Sequence, residues 1–286
     1  MNENFFVRPM HLEDISGAMN LSNAEGWNQT EKDWKLFIEN PQNISLAVEY
    51  ENKIIGTTTA INYSDKIAWI GMVLVDKDFR GQGVSKLLLT NIFERLRHIK
   101  SIKLDATPAG QKVYEKFDFK DEYLIARMTT ASVKNLSYEQ NESTQRVDEK
   151  NLEQIIALDA HVFGANRSQL IKFLIRQYSH KAWLLKRNDS IAGFVLGRDG
   201  SKYNHIGPVV VASTDDDAKM LITKALSELT NQPAVVDVLY DKEELIQWLS
   251  SLRFVEQRHF IRMYKKENPL PGDVSKQYLV CGPEFG

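Results

Sequence analysis

Arg80-Gly81-Gln82-Gly83-Val84-Ser85 carries the residue types of an anion site. It lies between an apolar run, Ala68-Trp69-Ile70-Gly71-Met72-Val73-Leu74-Val75, and a helical pattern of Val84, Leu87, Leu88, Ile92, Phe93 and Leu96. A strand, a glycine-bearing turn and a helix start, in that order, leave the first helical N–H groups without intrahelical partners and aimed at whatever stands in front of them. Glycine lets a diphosphate approach that backbone closely, and the helix dipole and Arg80 both favour negative charge there. The spacing predicts a site for a phosphorylated cofactor.

Other chemistries find less support. The single cysteine, Cys281, excludes a disulfide within the chain and has no basic partner nearby in sequence to activate it. The histidines, His11, His98, His161, His180, His205 and His259, are scattered and never at ligand spacing, so no metal site is expected. At 43% apolar and 26% charged, with a net charge of −2, the composition is that of an ordinary globular protein and argues against a nucleic-acid or membrane-surface partner. Arg95, Arg97, Lys100 and Lys103 read as the solvated end of a helix, where cations suit the dipole. No basic leader opens the sequence and no apolar run reaches membrane-spanning length, so a soluble, cytoplasmic protein is expected.

The elements that must position the loop occur twice. Leu12-Glu13-Asp14-Ile15 recurs as Leu152-Glu153-Gln154-Ile155, Ile55-Gly56 as Ala192-Gly193, and Ile70-Gly71-Met72-Val73-Leu74-Val75 as Ile206-Gly207-Pro208-Val209-Val210-Val211. Phe119, with Arg127-Met128 after it, recurs as Phe254 with Arg262-Met263 after it. The matches stay in order while their offset drifts from about 140 to about 135 residues, as small insertions and deletions would make it. Two domains are expected, at 1–130 and 147–286, joined by a polar linker over 131–146.

Within the first copy, Phe5-Phe6-Val7 is a short strand, and Leu12, Ile15, Ala18 and Met19 recur at helical spacing. Thr30 and Asp33 form a capping box, and a hairpin turns at Glu51-Asn52. The strand 68–75, the glycine turn, a helix to about residue 98, a strand over 101–106, a short helix and a last strand follow. The fold class is α+β, with helices packed on a mostly antiparallel mixed sheet in each copy.

This order resembles the GNAT superfamily of acyl-CoA-dependent N-acetyltransferases. Val73-Leu74-Val75, Arg80 to Ser85, and Val113-Tyr114-Glu115-Lys116-Phe117-Asp118-Phe119 carry the likeness. Ser85 departs from the last position of the family's loop, and Asp118 replaces a glycine of its second block. The whole chain also looks like tandem proteins in which a GNAT domain precedes a diverged second one, through Ala24-Glu25-Gly26-Trp27-Asn28-Gln29-Thr30, Leu104 to Gly110, His205 to Val210 and Gly282 to Gly286.

The resemblance implies transfer of an acetyl group from acetyl-CoA to the primary amine of a small-molecule acceptor. It places the pantetheine arm along Val73, Leu74 and Val75, and the pyrophosphate on Arg80, Gly81, Gln82, Gly83, Val84, Ser85 and Lys86, with Thr107 also at the cofactor. Tyr114 would protonate the departing thiolate, which is uphill by about 2 kcal/mol on reference acidities unless a dry site raises the thiol's pKa. Glu25 and Asp105 are the candidate bases that take the ammonium proton, and Trp27 and Asn28 would line the acceptor pocket. A non-catalytic acyl-CoA sensor would use the same loop. Nucleotide binding fits less well, because the lysine-serine/threonine phosphate signature is missing.

The second copy lacks these parts. Arg80, Gly81 and Gly83 align with Asp216, Asp217 and Lys219, and Tyr114 with Leu249. Thr214-Asp215-Asp216-Asp217 suits a helix cap and repels a pyrophosphate. Catalysis is therefore expected from the first copy alone.

Overall fold

The computed structural model describes residues 5–136 and 143–286. The first repeat runs β1 (Phe6–Pro9), α1 (Ile15–Ala24), α2 (Glu31–Glu39), β2 (Ile44–Tyr50), β3 (Lys53–Tyr63), β4 (Ile67–Val75), α3 (Val84–Arg95), β5 (Ser101–Ala106), α4 (Pro108–Glu115) and β6 (Lys120–Thr130). The second repeats that order as β7 (Thr144–Arg146), α5 (Leu152–Phe163), α6 (Ser168–Gln177), β8 (Trp183–Arg187), β9 (Ser190–Arg198), β10 (Asn204–Val211), α7 (Asp215–Ser227), β11 (Ala234–Leu239), α8 (Glu243–Ser251) and β12 (Val255–Lys266), then adds β13 (Gln277–Leu279). The α+β expectation holds.

Local chemistry explains the boundaries. Thr30 and Asp33 close the capping box before α2, with the Thr30 amide donating to Asp33 at 2.7 Å. The β2–β3 hairpin turns through Glu51 and Asn52 at φ 49° and 61°, the left-handed pair of a two-residue turn. Asn188 and Asp189 make the same turn between β8 and β9, at φ 49° and 59°.

Repeat and packing divide the chain at different places. One compact unit comprises residues up to Leu104, with Gly200–Lys202 and Phe285; the other comprises Asp105–Asp199, Tyr203–Glu284 and Gly286. In the first unit the sheet order is β1-β2-β3-β4-β5, antiparallel except for the parallel β4–β5 pair. Trp34, Phe37, Ile55, Trp69, Leu88 and Ile92 fill its core. Gly56 lets α3 sit close on β3, since a Cβ there would fall 2.8 Å from Val84.

In the second unit the order is β12-β6-β11-β13-β10-β9-β8-β7. β6, the last strand of the first repeat, lies between β11 and β12 and pairs antiparallel with both. Of the expected linker, residues 137–142 lie outside the described residues, Thr144–Arg146 form β7, and Val133 bridges to Thr230. No helix among the described residues is long and apolar enough to cross a membrane.

Candidate active site

In the first unit, β4 pairs with β5 only from Ile67 to Trp69, opposite Ser101 to Lys103, yet β4 continues to Val75. Met72 takes a left-handed φ of 52° where the β3–β4 register slips, and Thr57 Oγ1 donates to its carbonyl at 2.9 Å. Such a bulge re-aims the strand and ends its pairing, leaving main-chain groups for a ligand to use. Val73 and Val75 are half-buried, while the Leu74 side chain points into the core and can contribute backbone alone.

The loop after β4 has the conformation its glycines allow. Gly81 and Gly83 have φ of 78° and 87°, and a Cβ on Gly81 would meet nothing within 4 Å. Gly83 is the N-cap of α3 and supplies no side-chain cap, so the opening amides of the helix keep their capacity for an anion. Val84 is buried against β3 and offers only its amide; Ser85 is half-buried and Lys86 exposed. Gln82 Nε2 donates to the Asp78 carbonyl at 3.1 Å and holds the turn.

Glu25 comes to this loop. Its carboxylate pairs with Arg80 at 2.5 Å and lies 4.0 Å from Lys77, so the candidate base and the candidate pyrophosphate arginine are partners here. Glu25 and Val75 line one cleft of 790 Å³, whose lining among the described residues also holds the acids Glu13, Asp14, Glu49, Asp76 and Asp78 and the cations Arg8, Lys53 and Lys77. An acidic lining of this kind favours a cationic ligand.

Trp27, Asn28 and Asp105 make contacts that the sequence did not predict. Asn28 is buried, and its Oδ1 accepts from the Lys202 amide at 2.9 Å while its carbonyl accepts from Ser201 at 3.0 Å. Trp27 gives its carbonyl to Ser201 Oγ at 3.1 Å. Both anchor the 200–202 loop, and the Asn28 amide is committed there. Asp105 is likewise committed: Arg262 forks onto its two oxygens at 2.8 and 2.9 Å, with both side chains buried. Burial raises the Asp105 carboxyl above its ordinary value against the pull of Arg262. Each Asp105 oxygen thus accepts one N–H of Arg262.

In the second unit, Thr107 caps α4, its Oγ1 accepting from Gly110 N at 3.1 Å. Tyr114 is half-buried on α4 and packs edge-on to Phe119, with centroids 5.8 Å apart. Desolvation pushes its phenol above the ordinary value, so it stays protonated across the working pH range. Its counterpart Leu249 is a core residue of α8.

The second copy has closed the equivalent positions. β10 and β11 pair over Asn204–Ile206 and Ala234–Val236, and β13 then enters between them. Leu279 of β13 faces Val209 on one side and Val238 on the other, and Val280 N donates to the Asp237 carbonyl at 3.0 Å. The chain itself occupies the gap that β4 leaves open. At the start of α7, Thr214 Oγ1 accepts from Asp217 N at 3.2 Å, Ser213 and Arg187 hold the Asp217 carboxylate, and the Tyr278 hydroxyl holds Asp215. His205 is buried with Nδ1 3.3 Å from Arg198 and Nε2 3.5 Å from Asp237, and desolvation pushes it down to about 3. Cys281 is buried and pushed up to about 12, which keeps it a thiol.

Sequence reasoning missed β13, which is three residues of unremarkable composition, and the partner of Asp105. The repeat held a signal for the latter: Arg127 and Arg262 recur at one place, and Arg127 forks onto Asp237 at 2.8 Å through both nitrogens.

Comparison with known proteins bears on both copies. The Acetyltransferase (GNAT) family model matches residues 13–119 and the Acetyltransferase (GNAT) domain model residues 155–279. A Holothin acyltransferase from Pseudoalteromonas sp. (strain SANK 73390) is 23% identical over 285 residues, covering 98% of this chain and 94% of the relative. An uncharacterized N-acetyltransferase, YitH of Bacillus subtilis (strain 168), is 21% identical over 91% of this chain and 92% of the relative. Among solved structures, a putative acetyltransferase from Pyrococcus horikoshii superposes with a TM-score of 0.83 at 20% identity, over 100% of this chain and 97% of that one. A tandem GNAT protein from the clavulanic acid biosynthesis pathway does so at 0.64 and 10% identity, over 93% and 99%.

Proposed function

The chain belongs to the GNAT acetyltransferases as a tandem protein, and from that premise we propose that its first copy transfers an acetyl group from acetyl-CoA to the primary amine of a small-molecule acceptor. One observation carries the assignment to the first copy: its glycine turn and β4 edge are open, whereas β13 and Thr214 close the same places in the second.

The residues fit the donor. The amides that open α3, with Arg80 and Lys86, would hold the pyrophosphate, and Val73 to Val75 would align the pantetheine arm by main-chain pairing. Acetyl-CoA brings the acyl thioester. Arg80 leaves Glu25 for the phosphate, which frees the carboxylate on the acidic cleft to attract an ammonium and accept its proton. Tyr114 holds the proton destined for the thiolate; its raised pKa makes it a weak donor that works only where water exclusion raises the thiol as well. Asp105, held by Arg262, is the second candidate base, and Trp27 and Asn28, which also hold the 200–202 loop, would line the acceptor pocket.

The test is thiol release from acetyl-CoA by the full-length protein against a panel of amines. Release above buffer with at least one amine is expected, and Tyr114→Phe should reduce it about 10²-fold. Tight CoA binding with no release for any amine would favour the sensor alternative.

A further inference from the structure

The strand β12, from the second repeat, grips the first repeat's α4 at both ends. At the entry, Arg262 forks onto Asp105, two residues before the Thr107 cap, and its Nη1 donates to the Tyr123 hydroxyl at 2.5 Å. At the exit, Lys265 Nζ donates to the Phe117 carbonyl at 2.5 Å and lies 3.3 Å from the Asp118 carboxylate. Phe117 N and Phe119 N in turn donate to the carbonyl of Tyr114, at 2.8 and 3.2 Å, and the Phe119 ring packs on the Tyr114 ring. At the exit the route from β12 to Tyr114 is made of hydrogen bonds and a ring contact, and at the entry Arg262 holds the residue that leads by two steps of chain into the cap of α4.

The repeat gives this arrangement its meaning. Asp105 belongs to the first repeat and takes Arg262 of the second; Asp237 belongs to the second and takes Arg127 of the first. The two forks are equivalent in chemistry and burial. The Asp105 fork leads into the helix that carries Tyr114, whereas the Asp237 fork leads into α8, where Leu249 stands instead. Resting on the acyl transfer proposed above, we propose that Arg262 and Lys265 are positioning residues for that reaction. The second repeat, without a cofactor loop of its own, sets the helix that presents Tyr114.

The Asp237 fork supplies a matched control in the same molecule. Lysine keeps the charge of arginine and loses the fork, so full-length R262K and R127K are compared with the wild type. Labelling tyrosine with ¹³C at Cζ reports Tyr114 and Tyr123 by NMR, with Tyr114→Phe and Tyr123→Phe assigning the resonances. In R262K both resonances should move, and turnover of the best amine should fall about 10-fold or more with KM for acetyl-CoA within about twofold, the split expected of misplaced chemistry. In R127K neither resonance nor turnover per folded molecule should change. Lys265→Met, at a partly exposed position, should move Tyr114 and leave Tyr123 in place, and it carries the test if R262K fails to fold. Unmoved resonances in R262K and Lys265→Met, or equal changes in R127K, would overturn the clamp. An inactive wild type would remove the acyl-transfer proposal, while the resonances would still decide whether β12 positions Tyr114.

Discussion

The starts of α3 and α7 occupy equivalent places in the two repeats and have opposite fates. At α3 the backbone is bent by Gly81 and Gly83, no side chain caps the helix, and among the described residues β5 does not pair with the neighbouring strand over Ile70–Val75, where Arg80 Nε donates to the Val75 carbonyl. At α7 a threonine caps, three aspartates fill the first turn, and β13 lies between the strands ahead of it. The same fold thus leaves one helix start without a side-chain cap and satisfies the other internally. Copying the fold therefore does not copy the capping of its helix starts.

The comparison can be broken most severely at β13. Leu279 is buried in the filled gap, so Leu279→Asp should destabilise the protein by about 4 kcal/mol, as a buried unpaired charge does. Urea unfolding would measure it, and a loss below about 1 kcal/mol would show the gap is not truly packed. Next in size, Tyr114→Phe should lower turnover about 10²-fold, equivalent to about 2.7 kcal/mol, while Leu249→Met in the other copy leaves turnover unchanged. Because the Tyr114 phenol lies above its ordinary value of 10.0, the pH–rate profile should have no descending limb up to pH 10. A midpoint at or below 10 would remove Tyr114 as the acid.

Smaller effects sharpen the contrast. Arg80→Ala should weaken CoA binding about 10-fold or more, the value of one charge-assisted bond to phosphate. Thr214→Ala should cost about 1 kcal/mol of stability with CoA affinity unchanged. Desolvation pushes folded His205 down to about 3 from the ordinary 6.5 of the unfolded chain, so between those values the unfolded chain binds the extra proton. Its contribution is intact above pH 6.5 and is lost as the pH falls from there toward 3, by at most about 1.4 kcal/mol per pH unit. His205→Gln should flatten the fall of Tm with acid over that window, and an unchanged slope would mean other groups govern it.

The sequence disclosed what local rules control. The glycine turn at 81–83, the Thr30 capping box and the hairpin turn at Glu51-Asn52 depend on neighbours in the chain, and the structure has them where the residues predicted. The partners of Asp105 and Asn28 were hidden because they come from about 157 and 174 residues away. Neither a carboxylate's ion pair nor an amide's loop contact leaves a local pattern. β13 was hidden for a related reason: three residues have no periodicity, and only the divergence of β10 from β11 makes room for them.

The most direct measurement is the number of CoA molecules bound per chain, by calorimetry or equilibrium dialysis on the full-length protein. One site per chain is predicted, abolished by Arg80→Glu with Gly83→Val and untouched by Asp216→Ala. Two sites per chain, or a single site that survives the first change and is lost with the second, would contradict the account.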